Sequence, residues 1–297
     1  MATLYTHQDS NIRKTIMLMT VFLVMVIGIG YLATVLTGNP FIVYVAVAFA
    51  LIMNVYSYWY SDKLVLRMTG AQAVEKADAP ELYNLVENLA ITAGLPMPKV
   101  YIVHDPAPNA FATGRNPEHA VVAVTTGLLQ VLDRAELEGV VAHELAHIGN
   151  RDMLVMTVAV VLAGFVAIVA DLLIRFAWLG GGGRDRKPIV MIFGFIGILL
   201  APLAARLIQA AVSQRREYLA DATGALLTRY PEGLASALEK ISGYRAPMQR
   251  TSHATAHLFI SDPYGGAPKQ SFLQRMGSWF ATHPPVQERI ARLRNMN

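Results

Sequence analysis

Residues Val141–Gly149 read "VAHELAHIG", in which two histidines bracket a glutamate inside an otherwise apolar stretch. His143 and His147 are four residues apart, so on an α-helix both side chains project from one face, one turn apart. That spacing lets both imidazoles bind one Zn²⁺ ion at about 2.0–2.1 Å, and it leaves Glu144 free to act on a bound water. A core helix that contains two histidines explains the same residues equally well.

The composition indicates that much of the chain lies in a membrane. The 297-residue chain is 54% hydrophobic and only 15% charged, whereas a soluble domain carries about 25% charged residues. The net charge of +4 suits an anionic surface, and the long apolar runs favour a membrane over nucleic acid as that surface. Because the chain contains no cysteine, disulfide scaffolds, thiolate zinc sites and cysteine nucleophiles are excluded.

Four apolar runs are long enough to cross a membrane, which takes about 20 residues. They are Ile16–Leu36, Pro40–Tyr60, Met153–Ala170 and Pro188–Ala205. The first two predict an N-terminal membrane hairpin, because the first run is too long for the apolar part of a signal peptide. For the last two runs a buried core helix is the alternative, since charges and glycines flank or interrupt them. Whether residues 153–205 cross the bilayer or embed in one leaflet stays open.

Basic residues near the ends of these runs predict the orientation of the chain. Loops on the cytoplasmic side of a membrane carry an excess of Lys and Arg. One side collects most of the basic residues, namely Arg13, Lys14, Lys63, Arg67, Arg151, Arg206, Arg215 and Arg216. The loop Gly180–Pro188 places basic residues on the opposite side, which weakens the prediction without reversing it. We therefore expect the soluble segments on the cytoplasmic side.

The first soluble segment, residues 68–152, is expected to combine helices with short strands. It begins with apolar residues at helical spacing, and Gly94 and Pro96 end that helix. Short β-branched runs then predict strands at Lys99–His104 and His119–Thr126. These elements precede the helix that carries the two histidines.

Between the two predicted strands lies "NAFATG", residues Asn109–Gly114. Because prolines bound this segment, it is an edge strand if it is a strand at all. Asp133 and Glu136 then have the spacing of a capping box, which predicts the start of the HELAH helix.

The second soluble segment, residues 206–297, is expected to be mostly helical. Its polar stretch at 243–271 is rich in Gly, Pro, Ser and His and is interpreted as a mobile loop. His253 and His257 lie in that stretch without a partner carboxylate nearby in sequence, so both are expected to face solvent.

A catalytic zinc site needs a third protein ligand beside an open position for water. No histidine follows HELAH at a short spacing, so the ligand must come from another segment. The candidate is "RREYLAD", in which Glu217 and Asp221 share one helical face. Glu217 suits a ligand, and Asp221 suits a carboxylate that accepts the outer N–H of a ligating histidine. A helix beside the membrane whose acids balance Arg215 and Arg216 is the alternative.

With HELAH, EYLAD, the membrane hairpins, NAFATG and the closing "THPPVQERIARL" all located, the chain resembles the HtpX family over nearly its whole length. That family comprises bacterial inner-membrane zinc endopeptidases of the heat-shock response, related to the CAAX prenyl endopeptidases. The resemblance implies an α+β, mainly helical fold: a zincin-like metalloprotease domain with a small β-sheet, integrated with about four transmembrane helices.

The expected organisation has four parts. Residues 1–67 form the N-terminal transmembrane hairpin, and residues 68–152 form the first part of the catalytic domain with the NAFATG strand and the HExxH helix. Residues 153–205 form the second transmembrane hairpin. Residues 206–297 form the second part of the catalytic domain, with the ExxxD helix and the HPP motif.

Carried over residue by residue, the resemblance assigns His143, His147 and Glu217 as zinc ligands and Glu144 as the catalytic base. Asp221 matches the acid of the ExxxD motif. One Zn²⁺ ion per subunit is therefore expected. If the three ligands share that ion, they lie on one side of the membrane, so the chain between them crosses it twice or not at all.

The resemblance also implies a substrate-binding edge strand at Asn109, Ala110, Phe111, Ala112 and Thr113. An unpaired strand edge binds an extended peptide as an added strand, almost regardless of its sequence. A loop between two prolines is the alternative. His283 of the THPP motif either stabilises the tetrahedral intermediate or merely stands at the start of a helix whose first turn contains proline.

The function implied is zinc-dependent cleavage of misfolded or damaged membrane proteins at the cytoplasmic face of the bacterial inner membrane. The expected partners are extended segments of those substrates and the lipid bilayer, with no nucleic acid. A prenyl-protein endopeptidase is one alternative, although it should have more membrane spans. A non-catalytic membrane scaffold or transporter is the other, and it predicts broken metal-binding positions, whereas these are intact. Natural substrates, regulation and oligomeric state do not follow from the sequence.

Overall fold

The structure is a computed structural model that describes residues 4–179, 192, 194–200, 213–250, 255–264 and 284–296. Its α-helices include α1 (Leu4–Thr37), α2 (Phe41–Trp59), α3 (Ser61–Thr69), α4 (Pro80–Thr92), α5 (Thr126–Val131), α6 (Arg134–Gly149), α7 (Asp152–Leu179), α8 (Gln214–Thr228), α9 (Pro231–Gly243) and α10 (Val286–Arg294). Its strands are β1 (Gln72–Ala73), β2 (Lys99–Val103), β3 (Ala110–Thr113) and β4 (Val121–Thr125). His253, His283 and most of the predicted run Pro188–Ala205 lie outside the described residues.

Three helices of the described part are long and apolar enough to cross a membrane. The candidate spans are Gln8–Thr37, Phe41–Trp59 and Asp152–Arg175, which agree with the first three predicted runs. Within the 18-residue apolar stretch of each span, 28%, 17% and 72% of the residues are buried, respectively. The first two spans therefore expose apolar surface, whereas α7 is enclosed by its neighbours. α1, α2 and α7 pack together around a shared apolar cluster that includes Phe22 and Leu162.

The strands form one mixed sheet in the order β1-β2-β4-β3. β2 and β4 are parallel, while β1 and β3 are antiparallel to their neighbours. β3 is thus an edge strand, as its flanking prolines predicted. β4 ends at Thr125, one residue before the predicted end, because the Thr125 side chain accepts a hydrogen bond from the Leu128 N–H and starts α5.

Each face of the sheet packs against a different set of helices. One face, with Val122 and Val124, packs with α4, α6 and α9 in the main core. The opposite face, with Phe111 and Ala123, packs with α3 and with Met156 of α7. Since α7 also contributes residues to the cluster formed with α1 and α2, it connects the sheet domain to the other long apolar helices.

The helix that carries HELAH begins as predicted. Asp133 accepts a hydrogen bond from the Glu136 N–H, and the Glu136 carboxylate accepts one from the Asp133 N–H, which completes the capping box. Two glycines then allow close packing of this helix. A Cβ on Gly139 would lie 2.6 Å from the backbone N of Leu234 in α9, and one on Gly224 would lie 3.0 Å from the backbone N of His143.

The prediction that His257 faces solvent is wrong. His257 is 1% exposed and lies in a short 3₁₀ turn, Ala256–Leu258. The residues that follow are apolar and pack onto the edge of the sheet, where Phe259 contacts Phe111 with ring centroids 5.2 Å apart. Ile260 donates its N–H to the carbonyl of Ala110 at 3.0 Å. Burial of this apolar stretch therefore draws His257 inside.

Candidate active site

Two adjacent turns of α6 and the first turn of α8 bring three metal-binding side chains together. Ligand atoms of His143, His147 and Glu217 all lie within 4.8 Å of one another, and all three residues are buried. The two histidine Nε2 atoms are 3.1 Å apart, and His147 Nε2 lies 3.6 Å from Glu217 Oε1. Two nitrogens bound to one tetrahedral zinc would be about 3.3 Å apart. These three residues can therefore hold a zinc ion.

Each histidine faces a carboxylate through its other ring nitrogen. His143 Nδ1 lies 3.0 Å from Asp221 Oδ1, a hydrogen-bond distance although the angle is poor. His147 Nδ1 lies 3.1 Å from Asp152 Oδ2. Such partners orient a ligating histidine and favour the tautomer that leaves Nε2 free for a metal. The contact of Asp221 was predicted from the sequence, whereas that of Asp152, five residues after His147 at the start of an apolar helix, was not.

Asp221 is in turn held by a buried arginine that the sequence analysis did not assign. Arg289 donates from Nη2 to Asp221 Oδ1 at 2.6 Å and from Nε to Oδ2 at 2.9 Å. Its Nη1 lies 3.6 Å from Glu217 Oε2. Arg289 shares the buried face of α10 with Leu293. An arginine in an apolar helical stripe was the signal that could have revealed it.

Glu144 is buried beside the three metal-binding side chains. Burial raises the pKa of Glu144 to about 7; the charge of Glu217 adds to this effect and His147 opposes it. The backbone N–H of Ala112 donates a hydrogen bond to the Glu144 carboxylate. In an edge strand, the backbone N–H and C=O groups of alternate residues point away from the neighbouring strand. The contact between the Ala112 N–H and Glu144 therefore shows that the outer edge of β3 faces the site.

The surrounding charges favour a cation. Burial alone would lower the pKa of His147, but the hydrogen bond to Asp152 and the charge of Glu217 outweigh it and raise that pKa to about 9. Burial lowers the pKa of His143, which Asp221 only partly offsets. The buried acids of the site exceed its buried arginines by two, four against two: Glu144, Asp152, Glu217 and Asp221 against Arg216 and Arg289. Such an excess suits a divalent metal ion.

The residues of the NAFAT segment are buried and make internal contacts. The Asn109 side chain donates to the Ser261 carbonyl at 3.0 Å and accepts from the Ser261 N–H at 3.3 Å. Phe111 packs against Phe259. The two side chains thus hold the neighbouring segment, while the backbone of Ala112 is the part that faces Glu144. Their substrate-binding role stays a prediction, as does the catalytic role of His283.

Comparison with known proteins identifies the family. A family model described as peptidase family M48 matches residues 76–297. A protein named Protease HtpX homolog from Caldanaerobacter subterraneus subsp. tengcongensis is 44% identical over 99% of this chain and 98% of its own length. A Protease HtpX homolog from Thermococcus sibiricus is 50% identical over 95% of each chain.

A solved structure shares the fold. The crystal structure of S. mikatae Ste24p aligns with a TM-score of 0.52 and 17% identity, and the match covers 97% of this chain and 67% of that one. The match to the family model and the near-complete match to the relatives agree with the buried His-His-Glu cluster on α6 and α8. The chain therefore belongs to peptidase family M48 and is a metalloprotease of the HtpX type.

Proposed function

We propose that the chain is a zinc-dependent endopeptidase of the bacterial inner membrane that cleaves misfolded or damaged membrane proteins at the cytoplasmic face. The observation that carries the proposal is the buried cluster of His143, His147 and Glu217 with Glu144 beside it. Two nitrogens and one carboxylate are a ligand set that zinc hydrolases use, with one position left for water. Membership of family M48 supports the hydrolytic reaction.

The proposed chemistry assigns each residue of this cluster a task. His143, His147 and Glu217 hold Zn²⁺, which activates a water molecule and polarises the scissile carbonyl when it is bound. Glu144 accepts the proton of the attacking water and later delivers it to the leaving amine. Asp221 positions His143.

Substrates are proposed to bind as extended segments along the outer edge of β3. Ala112 supports this because its backbone contacts Glu144, so a peptide paired there would pass the catalytic base. The Ala110 carbonyl already accepts a hydrogen bond from Ile260. The Ala112 N–H is likewise bound to Glu144, so we expect a substrate either to pair from the Ala112 carbonyl onward or to displace the segment around Ile260.

The membrane location is proposed from three candidate spans and from the basic residues at their ends. Residues 68–152 and 206–297 would then form the two parts of a cytoplasmic catalytic domain, with residues 1–67 and 153–205 as membrane hairpins. A periplasmic reporter fused after Asn297 should be inactive, and an active one would contradict this orientation.

A prenyl-protein endopeptidase remains the second candidate, because the fold likeness to Ste24p extends over 97% of this chain. The two candidates differ in the substrate they require. Casein and a prenylated peptide are the matched substrates for the test. Cleavage of casein at a rate unaffected by prenylated peptide favours the general endopeptidase, and cleavage of the prenylated peptide alone favours the alternative.

Metal analysis of the detergent-purified protein tests the zinc site directly. The wild type should contain about one zinc per chain and lose casein digestion after chelation, with recovery on adding Zn²⁺. Glu217→Ala should lose zinc, since it removes one of three protein ligands. Glu232→Ala, at a partly exposed position of α9 where the side chain pairs with Arg294, is the control and should retain zinc. A full zinc complement in Glu217→Ala would contradict the assignment of the third ligand.

A further inference from the structure

The first membrane helix contacts the catalytic domain directly behind the metal site. Near the start of α1, Gln8 Nε2 donates to the carbonyl of Gly149 at 2.7 Å. One turn later, Asn11 Nδ2 donates to the carbonyl of Asn150 at 3.0 Å. Both carbonyls lie where the chain leaves α6, immediately after His147. α1 therefore fixes the turn that connects the catalytic helix to α7.

The same Asn11 amide also reaches a charged residue of the site. Asn11 Nδ2 lies 2.6 Å from Asp152 Oδ1. The other oxygen of that carboxylate, Oδ2, lies 3.1 Å from His147 Nδ1. Asn11 is 3% exposed and Asp152 is 1% exposed, so both contacts are shielded from water and strengthened by the low local dielectric. A continuous path thus runs from α1 through Asp152 to His147.

Asp152 has a second charged neighbour, Arg216, whose attraction for the carboxylate opposes the contact with His147. Arg216 Nε lies 3.3 Å from Asp152 Oδ1, the oxygen that Asn11 also contacts. An amide carries two N–H donors, so Asn11 can hold the carboxylate and the Asn150 carbonyl together. Without that amide, Asp152 could turn toward Arg216 and away from His147. Asn11 thus restrains the rotamer of Asp152.

We propose that Asn11 is a positioning residue of the metal site: through Asp152 it sets the ring of His147 so that Nε2 points at the metal position. The proposal rests on the proposed role of His147 as a zinc ligand. Outer partners of ligating histidines fix the ring and strengthen metal binding. The N-terminal membrane helix is then part of the catalytic site as well as an anchor, although the matched family model begins only at residue 76.

The test is a double-mutant cycle on the full-length protein in detergent, with the dissociation constant for Zn²⁺ measured by competition with a chromophoric chelator. Asn11→Leu removes the amide at similar volume, and we expect about 10-fold weaker zinc binding. Asp152→Asn should weaken binding by about 10- to 100-fold. In the Asp152→Asn background, Asn11→Leu should change binding by less than about 2-fold, because the path is already broken.

Thr15→Val is the matched control on the same helix. Thr15 is buried like Asn11, but its hydroxyl donates to the Asn11 carbonyl within α1, so zinc affinity should match the wild type. In the Co²⁺-loaded proteins, Asn11→Leu should shift the visible absorption bands and Thr15→Val should not. Asn11→Ala repeats the comparison if leucine disturbs folding.

The outcomes separate this proposal from the proposed function. Wild-type affinity in Asn11→Leu and Asn11→Ala would overturn the positioning role, as would an equal loss in both backgrounds of the cycle. Zinc binding by the wild type that Glu217→Ala abolishes would leave the proposed function standing in either case. A wild type that binds no zinc would overturn the proposed function itself.

Discussion

Arg289 is fully buried and binds Asp221 through two parallel hydrogen bonds of 2.6 and 2.9 Å. Burial by itself would raise the pKa of Asp221, but the charge of Arg289 and the contacts with His143 and Arg289 outweigh it and lower that pKa. Asp221 therefore stays ionised behind His143. One ion pair thus links the last helix, α10, to α8, and the contact of Asp221 with His143 extends this link to the catalytic helix, α6.

Replacing the arginine tests this link. Arg289→Met should destabilise the protein by about 3–5 kcal/mol, because it leaves a buried carboxylate without its partner. Thermal unfolding in detergent and casein digestion measure the loss. The control is Arg292→Met on the exposed face of α10, where the pair with Glu288 is in solvent and should contribute little to stability. Equal stability of both variants would contradict the role of Arg289.

The close approach of α6 and α8 depends on Gly224. A Cβ at this position would lie 3.0 Å from the backbone N of His143, so Gly224→Ala should push the helices apart and cost about 1–3 kcal/mol. Because the helices carry His143 and Glu217, zinc content should fall as well. Gly164→Ala in α7, where no atom of a neighbouring element in the described part of the chain lies within 4 Å of the added methyl, should not destabilise the protein. A Gly224→Ala variant with wild-type stability and zinc content would refute this account.

Glu136 links the start of α6 to α9 and provides a pH-dependent contribution to stability. It accepts hydrogen bonds from Ser236 at 2.6 Å and Lys240 at 2.7 Å. Burial would raise the pKa of Glu136, but these bonds and the Asp133 N–H lower it below its ordinary 4.5. A carboxyl with a lowered pKa stabilises the fold above its ordinary value and loses that effect as the pH falls through the lowered one.

Glu136→Gln should therefore be less stable than the wild type at pH 7, by about 1 kcal/mol, since Lys240 is partly exposed and solvent screens the pair. The difference should shrink as the pH falls below 4.5. Denaturant unfolding of the metal-free proteins across this range measures it. Glu138→Gln, which removes an exposed pair with Arg134, is the control. A stability difference that does not change with pH would count against the ionic contribution.

Local patterns in the sequence predicted much of the fold and of the site. The spacing of HELAH, the capping box at Asp133 and the prolines around NAFATG each act within one element, and the structure confirms the helix and the edge strand. Glu217 could be found because a catalytic zinc needs a third ligand. The structure brings it within reach of both histidines.

Long-range contacts could not be predicted in this way. Asn11 reaches Asp152 across 141 positions, and Arg289 reaches Asp221 across 68. Helical periodicity places Arg289 in an apolar stripe, but it does not identify the partner of either residue, because that partner lies on another helix far away in sequence. The prediction for His257 failed for a local reason. The polar composition of the surrounding segment concealed the short apolar stretch after His257, which packs on β3.

Glu144 is proposed to be the catalytic base of a zinc peptidase. Glu144→Gln preserves the size of the side chain and leaves His143, His147 and Glu217 intact, so the variant should keep about one zinc per chain. Its casein digestion should fall by about 10²- to 10⁴-fold, the usual contribution of a general base. The most direct measurement is the rate of casein cleavage by zinc-loaded Glu144→Gln beside the wild type. A loss of that size with zinc retained is predicted, and undiminished cleavage would contradict the account.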